Sequence, residues 1–197
     1  MKFNYCSIDI SHGNLLLNAR QGNLESQLEV KEFKNSENFI IIFLDFLKKN
    51  KITINEIKFF MINLGPASFV GLRNIFSSIK SIALVKKIKI LGFNSFQILG
   101  SLVDRKKFTK IALENNKKFY VKFLKDTDNF YSKFEVAKYS ELDIKNTVVF
   151  AQDVLNYNDN SKKLSRYNCK DLEYIFNKKI YINKKLFLIY ENKSKQI

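Results

Sequence analysis

Residues 58–85, KFFMINLGPASFVGLRNIFSSIKSIALV, constrain this chain more than any other stretch of it. An apolar run from Phe59 to Leu64 reads as a buried strand and meets a Gly65-Pro66 turn. Ser68 then stands at the N-cap position of a long helix that starts near Phe69 and runs to residue 86. A strand turning sharply into a helix leaves backbone N–H groups and the positive end of the helix dipole at the turn. Such a turn can hold an anion or anchor a packing junction, and both readings stand at this point.

The flanking sequence places this unit inside an α/β lobe. Phe3 to Ile10 and Asn14 to Arg20 read as strands joined by a tight turn at Ser11-His12-Gly13, with a more polar third strand from Leu24 to Phe33. A helix is expected over 36–49 with Ser36 as its cap, then a short helical turn over Thr53–Ile57. After the long helix come a strand at Lys89–Gly92 and a helix at Ser95–Val103. A second lobe follows, with strands at Thr109–Leu113, Phe119–Leu124, Phe130–Ala137 and Thr147–Phe150. A hairpin turn falls at Glu114-Asn115-Asn116, and a helix at Asp171–Asn177. The final stretch from Lys178 alternates apolar and basic residues and reads as a last strand or a docking tail. No internal repeat is visible in the sequence.

Two helices carry more apolar surface than one buried face needs. In the 36–49 helix, Phe39, Ile40, Ile41, Ile42, Phe43, Leu44, Phe46 and Leu47 cover nearly the whole circumference, where a surface helix shows a single stripe. Either the helix is sandwiched inside the protein, or one face awaits another subunit. In the long helix, Phe69, Leu72, Phe76, Ile79 and Ala83 form a core-like face beside a stripe of small residues, Gly71, Asn74, Ser78 and Ser81. A lobe of about 100 residues has little interior in which to hide both helices. The expected partner-binding face therefore comprises Phe39, Ile42, Phe43, Phe46, Gly71, Asn74, Ser78 and Ser81.

Site chemistry is sparse. The one histidine, His12, reads as a solvated turn residue, and no HxxxH, CxxC or paired-acid cluster accompanies it, so no metal site and no catalytic residue is expected. No phosphate-binding glycine signature is present. Asp9 and Ser11 at the end of the first strand can face a phosphate and its metal, or Asp9 can bond its own turn. Arg73 lies in the first turns of the long helix, where a cation opposes the dipole, so it calls for a buried carboxylate partner or a bound anion.

The bulk numbers frame these readings. An apolar fraction of 46% with 14% aromatic residues belongs to a folded globule. No run is long enough to span a membrane, and MKFNYCSIDI has no cleavable-signal pattern. Two cysteines, Cys6 and Cys169, are too few for a disulfide scaffold, which points to reduced thiols in a cytoplasmic protein. The net charge of +15 is spread over both halves of the chain, and only 4 of the 34 basic residues are arginine. Lysine comes with abundant Asn, Ile, Phe and Tyr, the residues of A/T-rich codons, so the charge reads as background attraction to polyanions more than as a binding stripe.

The segment GPASFVGLR, followed by an Ile/Ala-rich helix, resembles the GPGSFTGLR signature of the TsaB (YeaZ) family of bacterial tRNA threonylcarbamoyladenosine synthesis. Gly65, Pro66, Ser68, Phe69, Gly71, Leu72 and Arg73 match it directly. The D-x-[ST] turn of Asp9-Ile10-Ser11 and the ILGFNSFQIL stretch fit as well, so the resemblance covers roughly residues 3–103. It implies a two-lobed α/β fold of the actin, sugar-kinase and Hsp70 class, ribonuclease H-like, with mixed sheets and flanking helices. The lobes are expected at 1–104 and 105–197, with Asp9, Ser11, Gly65, Pro66, Ser68, Gly71 and Arg73 forming the structural junction. It further implies a non-catalytic subunit whose N-lobe helices bind a TsaD-like transferase. A TsaE-like ATPase acts on that assembly, and tRNA is reached through it, at adenosine 37 of tRNAs reading ANN codons. A homodimer through the same helices is a further expectation of the family. No cofactor is expected for the isolated chain, while a nucleotide at a subunit boundary is left open. The chain departs from the pattern at Ala67, at Val70, at Glu37-Asn38 and at Glu114-Asn115-Asn116, which weakens a small-molecule site more than a scaffold. Two rival readings remain: an active phosphotransferase or peptidase of the same fold class using Asp9, and a basic RNA-binding module.

Overall fold

The structure, a computed structural model, describes residues 4–11, 13–67, 69–115, 118–151, 161–163, 167–184, 186, 188 and 189. His12, Ser68 and Asn116 lie outside the described residues, so the expectations placed on them are not addressed by the structure.

The chain divides into two units, Met1–Asn94 with Tyr181–Ile197, and Ser95–Ile180. In the first, the apolar N-terminal runs form strands β1 (Asn4–Asp9), β2 (Leu15–Gln21) and β3 (Leu24–Val30), followed by helix α1 (Phe39–Lys49). Strand β4 (Phe59–Asn63), helix α2 (Phe69–Lys86) and strand β5 (Lys89–Phe93) complete it. The sheet order is β3-β2-β1-β4-β5. The hairpin pairs are antiparallel, whereas β1–β4 and β4–β5 are parallel. Parallel neighbours end together, so the C-terminal ends of β1 and β4, at Asp9 and Asn63, meet at one edge of the sheet.

The second unit begins with helix α3 (Ser95–Ser101) and contains strands β6 (Lys110–Asn115), β7 (Lys118–Phe123), β8 (Glu135–Ala137), β9 (Thr147–Ala151) and β10 (Ser161–Lys163), then helix α4 (Cys169–Asn177). Its sheet order is β10-β9-β6-β7-β8. Read from its own first strand, this is the arrangement of the first unit again: an antiparallel meander, then two strands added in parallel on the far side. The topology is duplicated although the sequence shows no repeat. Pattern-level requirements for a mixed sheet allow very different side chains to satisfy them.

The expected two-lobed α/β fold with mixed sheets is therefore present, with three adjustments. The expected boundary at 104/105 is placed too late, and the final segment belongs with the first unit. Residues Ser95–Gly100 are fully buried, and the Gln97 side-chain amide donates to the carbonyls of Asp128 (3.2 Å) and Ile180 (2.5 Å), all within the second unit. The expected strand over 130–137 shortens to β8. Phe130 is a buried core residue, and its segment is held by turn bonds such as Ser132 Oγ to the Asp126 carbonyl at 2.7 Å. The helix expected from residue 36 starts at Phe39. A 3₁₀ turn at Ser36–Asn38 precedes it, and the Ser36 hydroxyl accepts a bond from Asn74 Nδ2 (3.0 Å) rather than capping the helix.

Three helices end in one way. Lys51, Lys87 and Lys179 take the left-handed conformation (φ 57°, 53° and 56°). Each is followed by an isoleucine whose N–H reaches back to the helix: Ile52 to Leu47, Ile88 to Ala83, and Ile180 to Ile175. This is the Schellman motif, with lysine where glycine is the usual occupant. The left-handed conformation costs a β-carbon about 1–2 kcal/mol, partly offset by a cation at the helix C-terminus. Lys51→Gly is therefore expected to stabilise the protein by roughly 0.5–1 kcal/mol, measured by urea unfolding.

Candidate functional site

The strand–turn–helix junction is built on Asn63. An amide at the end of the apolar strand FFMIN offers a donor and an acceptor where parallel neighbours run out of main-chain partners. Asn63 Nδ2 donates to Asp9 Oδ2 (2.9 Å) and Ser11 Oγ (3.2 Å), while Asn63 Oδ1 accepts from the N–H of Gly65 (3.0 Å). The other carboxylate oxygen of Asp9 accepts the N–H of Ser11 at 2.6 Å, an Asx turn. Asp9, Ser11 and Asn63 are all buried. Of the two readings open for Asp9, the geometry is that of a carboxylate bonded to its own turn. Among the described residues, no three His, Cys, Asp or Glu side chains converge.

Gly65 has φ +110°, and a β-carbon there would collide with the carbonyl of Ile189. The N–H of Ala67 donates to that same carbonyl (3.3 Å). The turn's amide is thus taken by the chain's own C-terminal segment. Of the two readings of the turn, this arrangement matches the packing junction. Arg73, expected to be buried in a pair or bound to an anion, lies on the exposed side of α2.

The helix faces sort differently from expectation. Phe39, Phe43 and Phe46 are buried in the core, with Phe43 stacked on Phe39 (5.6 Å) and edge-on to Phe60 of β4 (6.1 Å). They pack on the sheet and are unavailable to a partner. Positions 39, 43, 46 and 47 are one helical face, and burying it turns the opposite side outward. That side carries Ile41 (64% exposed) and Leu44 (45%), with Ile42 half-buried between the two. On α2, Leu72, Ile75, Ile79 and Ala83 are buried. Gly71, Asn74 and Ser78 are half-buried, Asn74 through its bond to Ser36, and Ser81 is exposed. The large apolar side chains turned outward are Val70 (63%), Leu84 (80%) and Val85 (77%). Sequence reading missed these because an all-round apolar helix does not announce which face the sheet takes.

The second unit holds a side chain that no motif signalled. Lys122 on β7 is 3% exposed. Its ammonium donates to the carbonyl of Asn129 (3.1 Å) and sits 5.2 Å from the centre of the Phe96 ring. Burial lowers its pKa from the ordinary 10.5 to about 8, against the opposing pull of Asp126. It lines a cavity of about 90 Å³ together with Lys110, Lys133, Phe123, Phe134 and Glu135.

Two outcomes follow from this geometry. Asn63→Leu keeps the volume but strands buried Asp9 and Gly65 partners, and is expected to cost about 2–4 kcal/mol in chemical unfolding. For Lys122, the unfolded chain binds the proton more tightly than the folded one, so the penalty is full below about pH 8 and fades as pH rises toward 10.5. Lys122→Met should therefore be more stable than the parent at pH 7. The gap should narrow as urea unfolding is repeated toward pH 10.

No protein-family model matches the chain, and no curated protein matches its sequence. Solved structures do. One is described as an uncharacterized protein with similarity to peptidase YeaZ from Pseudomonas aeruginosa, with a TM-score of 0.68 at 11% identity over 95% of this chain and 99% of that one. Another, YeaZ from Pseudomonas aeruginosa, gives 0.64 at 10% identity over the same shares. At such identities the likeness is one of fold: this chain has the actin-like, two-sheet fold of the YeaZ structures.

Proposed function

We propose that this chain is a non-catalytic TsaB-type subunit that docks a TsaD-like threonylcarbamoyltransferase and thereby supports threonylcarbamoyladenosine formation at position 37 of tRNAs reading ANN codons. The observation that carries this reading is the outward apolar surface of α1 and α2: Leu84 and Val85 at 80% and 77% exposure, Val70 at 63%, and Ile41 at 64%. Side chains of this size left in water on two helices of one unit are the kind that interface cores use. The GPASFVGLR junction and the likeness to YeaZ structures over nearly the whole chain support the same reading. Gly71, Ser78 and Ser81 contribute small side chains that let a partner helix approach closely.

In this reading the chemistry belongs to the partner. Asp9 is bonded at one oxygen by the N–H of Ser11 and at the other by Asn63, which favours a structural role over the rival enzymatic one. A TsaE-like ATPase and tRNA meet the assembly, not the isolated chain, and the protein works in the cytoplasm. Among the described residues no helix is long and apolar enough to cross a membrane. The lysine excess adds a weak, salt-sensitive attraction to tRNA.

Co-purification with a TsaD-type protein tests the proposal. The parent chain should form a stable complex. Leu84→Asp and Ser78→Arg should each weaken it at least about tenfold, as expected for residues near an interface centre. Leu24→Asp, at a comparably exposed leucine on β3, should leave it unchanged. Absence of any complex, or equal binding by all four proteins, would remove the basis for the reading.

A further inference from the structure

The second unit gathers lysines around an opening in its sheet. The β7–β8 ladder runs from the Phe119–Ala137 pair to Val121–Glu135 and stops there, although β7 continues to Phe123. The cavity of about 90 Å³ lies where the two segments part, with Lys110, Lys122 and Phe123 on one side and Lys133, Phe134 and Glu135 on the other. A hollow of this size takes a few water molecules, or an oxyanion in their place.

Successive side chains on a strand face opposite ways. Phe123 is on the outer side of β7, 43% exposed, and Lys122 is on the inner side, buried. Lys110 stands directly across the β6–β7 pair from Phe123, with its ammonium 5.0 Å from the centre of that ring. Lys125 reaches the same ring from the following turn, at 5.6 Å. One solvent-facing ring therefore holds two ammonium groups beside the hollow, cation–π attraction offsetting their mutual repulsion. Lys133 is exposed on the opposite rim. Among the described residues, no ion pair engages Lys110, Lys125 or Lys133. Beneath them, Lys122 is buried against the Phe96 ring and the Asn129 carbonyl, with Asp126 the carboxylate that acts on it. Glu135 is the acid of the rim. Four lysines thus share one opening with two carboxylates, a positive surplus that favours an anion there.

The kind of cation and the exposed ring narrow the choice of anion. Ammonium groups are compact charges with rotatable donors, suited to phosphate oxygens and without the planar fork that reads base edges. An exposed aromatic ring beside them offers a face to an unstacked base, which a single strand supplies and a duplex does not. We infer that the opening between β7 and β8 is a seat for single-stranded RNA, in which Lys110 and Lys133 hold a backbone phosphate and the Phe123 ring takes the neighbouring base. The phosphate draws the Lys110 ammonium off the ring and so frees a face for stacking. Lys122 adds its charge from below. The seat lies within one unit and needs no partner protein, so it goes beyond the docking function and stands if that function fails.

Fluorescence anisotropy of the full-length protein with a labelled oligouridylate tests the seat. At about 0.15 M salt, the parent should bind this probe more tightly than an RNA duplex of equal length. Lys110→Gln combined with Lys133→Gln should weaken binding about tenfold and lower the slope of log K against log salt by about 1. Lys31→Gln combined with Lys34→Gln removes the same charge from exposed positions of the first unit and should change binding less than about twofold. Phe123→Ala should weaken binding several-fold, whereas Phe123→Tyr keeps the ring and should bind as the parent does. Glu135→Gln should tighten binding about twofold or more, a gain that no loss of folding can mimic. Equal losses in the two double variants would reduce the attraction to diffuse charge and overturn the seat, as would a Glu135→Gln protein that gains nothing. Preference for the duplex, or displacement of the probe by polyglutamate as readily as by unlabelled oligouridylate, would overturn the assignment to single-stranded RNA.

Discussion

One carboxamide holds the first unit's working edge together. Asn63 ties the end of β4 to the end of β1 through Asp9 and Ser11 and reaches forward to Gly65. Buried polar atoms of this kind are costly when unpaired and rigidifying when every valence is filled. Here one side chain fills valences from both strands and from the following turn. The same bonds that give the edge its rigidity turn attention to the helices it positions.

Those helices split their apolar content in a way that follows from geometry. A helix lying on a sheet buries about one face, so an all-round apolar helix must either be covered twice or remain greasy outside. α1 gives Phe39, Phe43, Phe46 and Leu47 to the core and leaves Ile41 and Leu44 outside. α2 gives Leu72, Ile75, Ile79 and Ala83 and leaves Val70, Leu84 and Val85. Exposed side chains of this kind weigh against an isolated existence in water. Under the proposed docking function, these are the side chains a second protein would cover.

The sequence was most legible where periodicity and punctuation agreed. β1, β2, β4, α2 and β5 lie within a residue or two of their expected bounds, because apolar runs there end at Gly, Pro or polar clusters. Less could be read where the signal was one of composition alone. The partner face assigned to Phe39, Phe43 and Phe46 proved to be core, since periodicity tells that a face is buried but not which of several apolar faces the sheet selects. The short β8, the parallel β10 and the duplicated topology had no local signature. Lys122 looked like any other lysine in a lysine-rich chain, and only the rings and carbonyl around it make it distinct. The crossing of Ile189 over Gly65 joins residues far apart in the chain, a relation that no local pattern encodes.

The helix exits at Lys51, Lys87 and Lys179 carry a consequence for how the protein's positive charge is interpreted. In each, a lysine sits at the electronegative end of a helix in a backbone conformation that most side chains resist. Part of the cationic surplus is therefore committed to chain reversal, whatever codon usage or nucleic acid also ask of it. A survey that neutralised lysines one by one to map contact with tRNA would meet these three as apparent hits. What it registered there would be a helix terminus loosened by Ala or Gln, or tightened by Gly, mistaken for a changed phosphate contact.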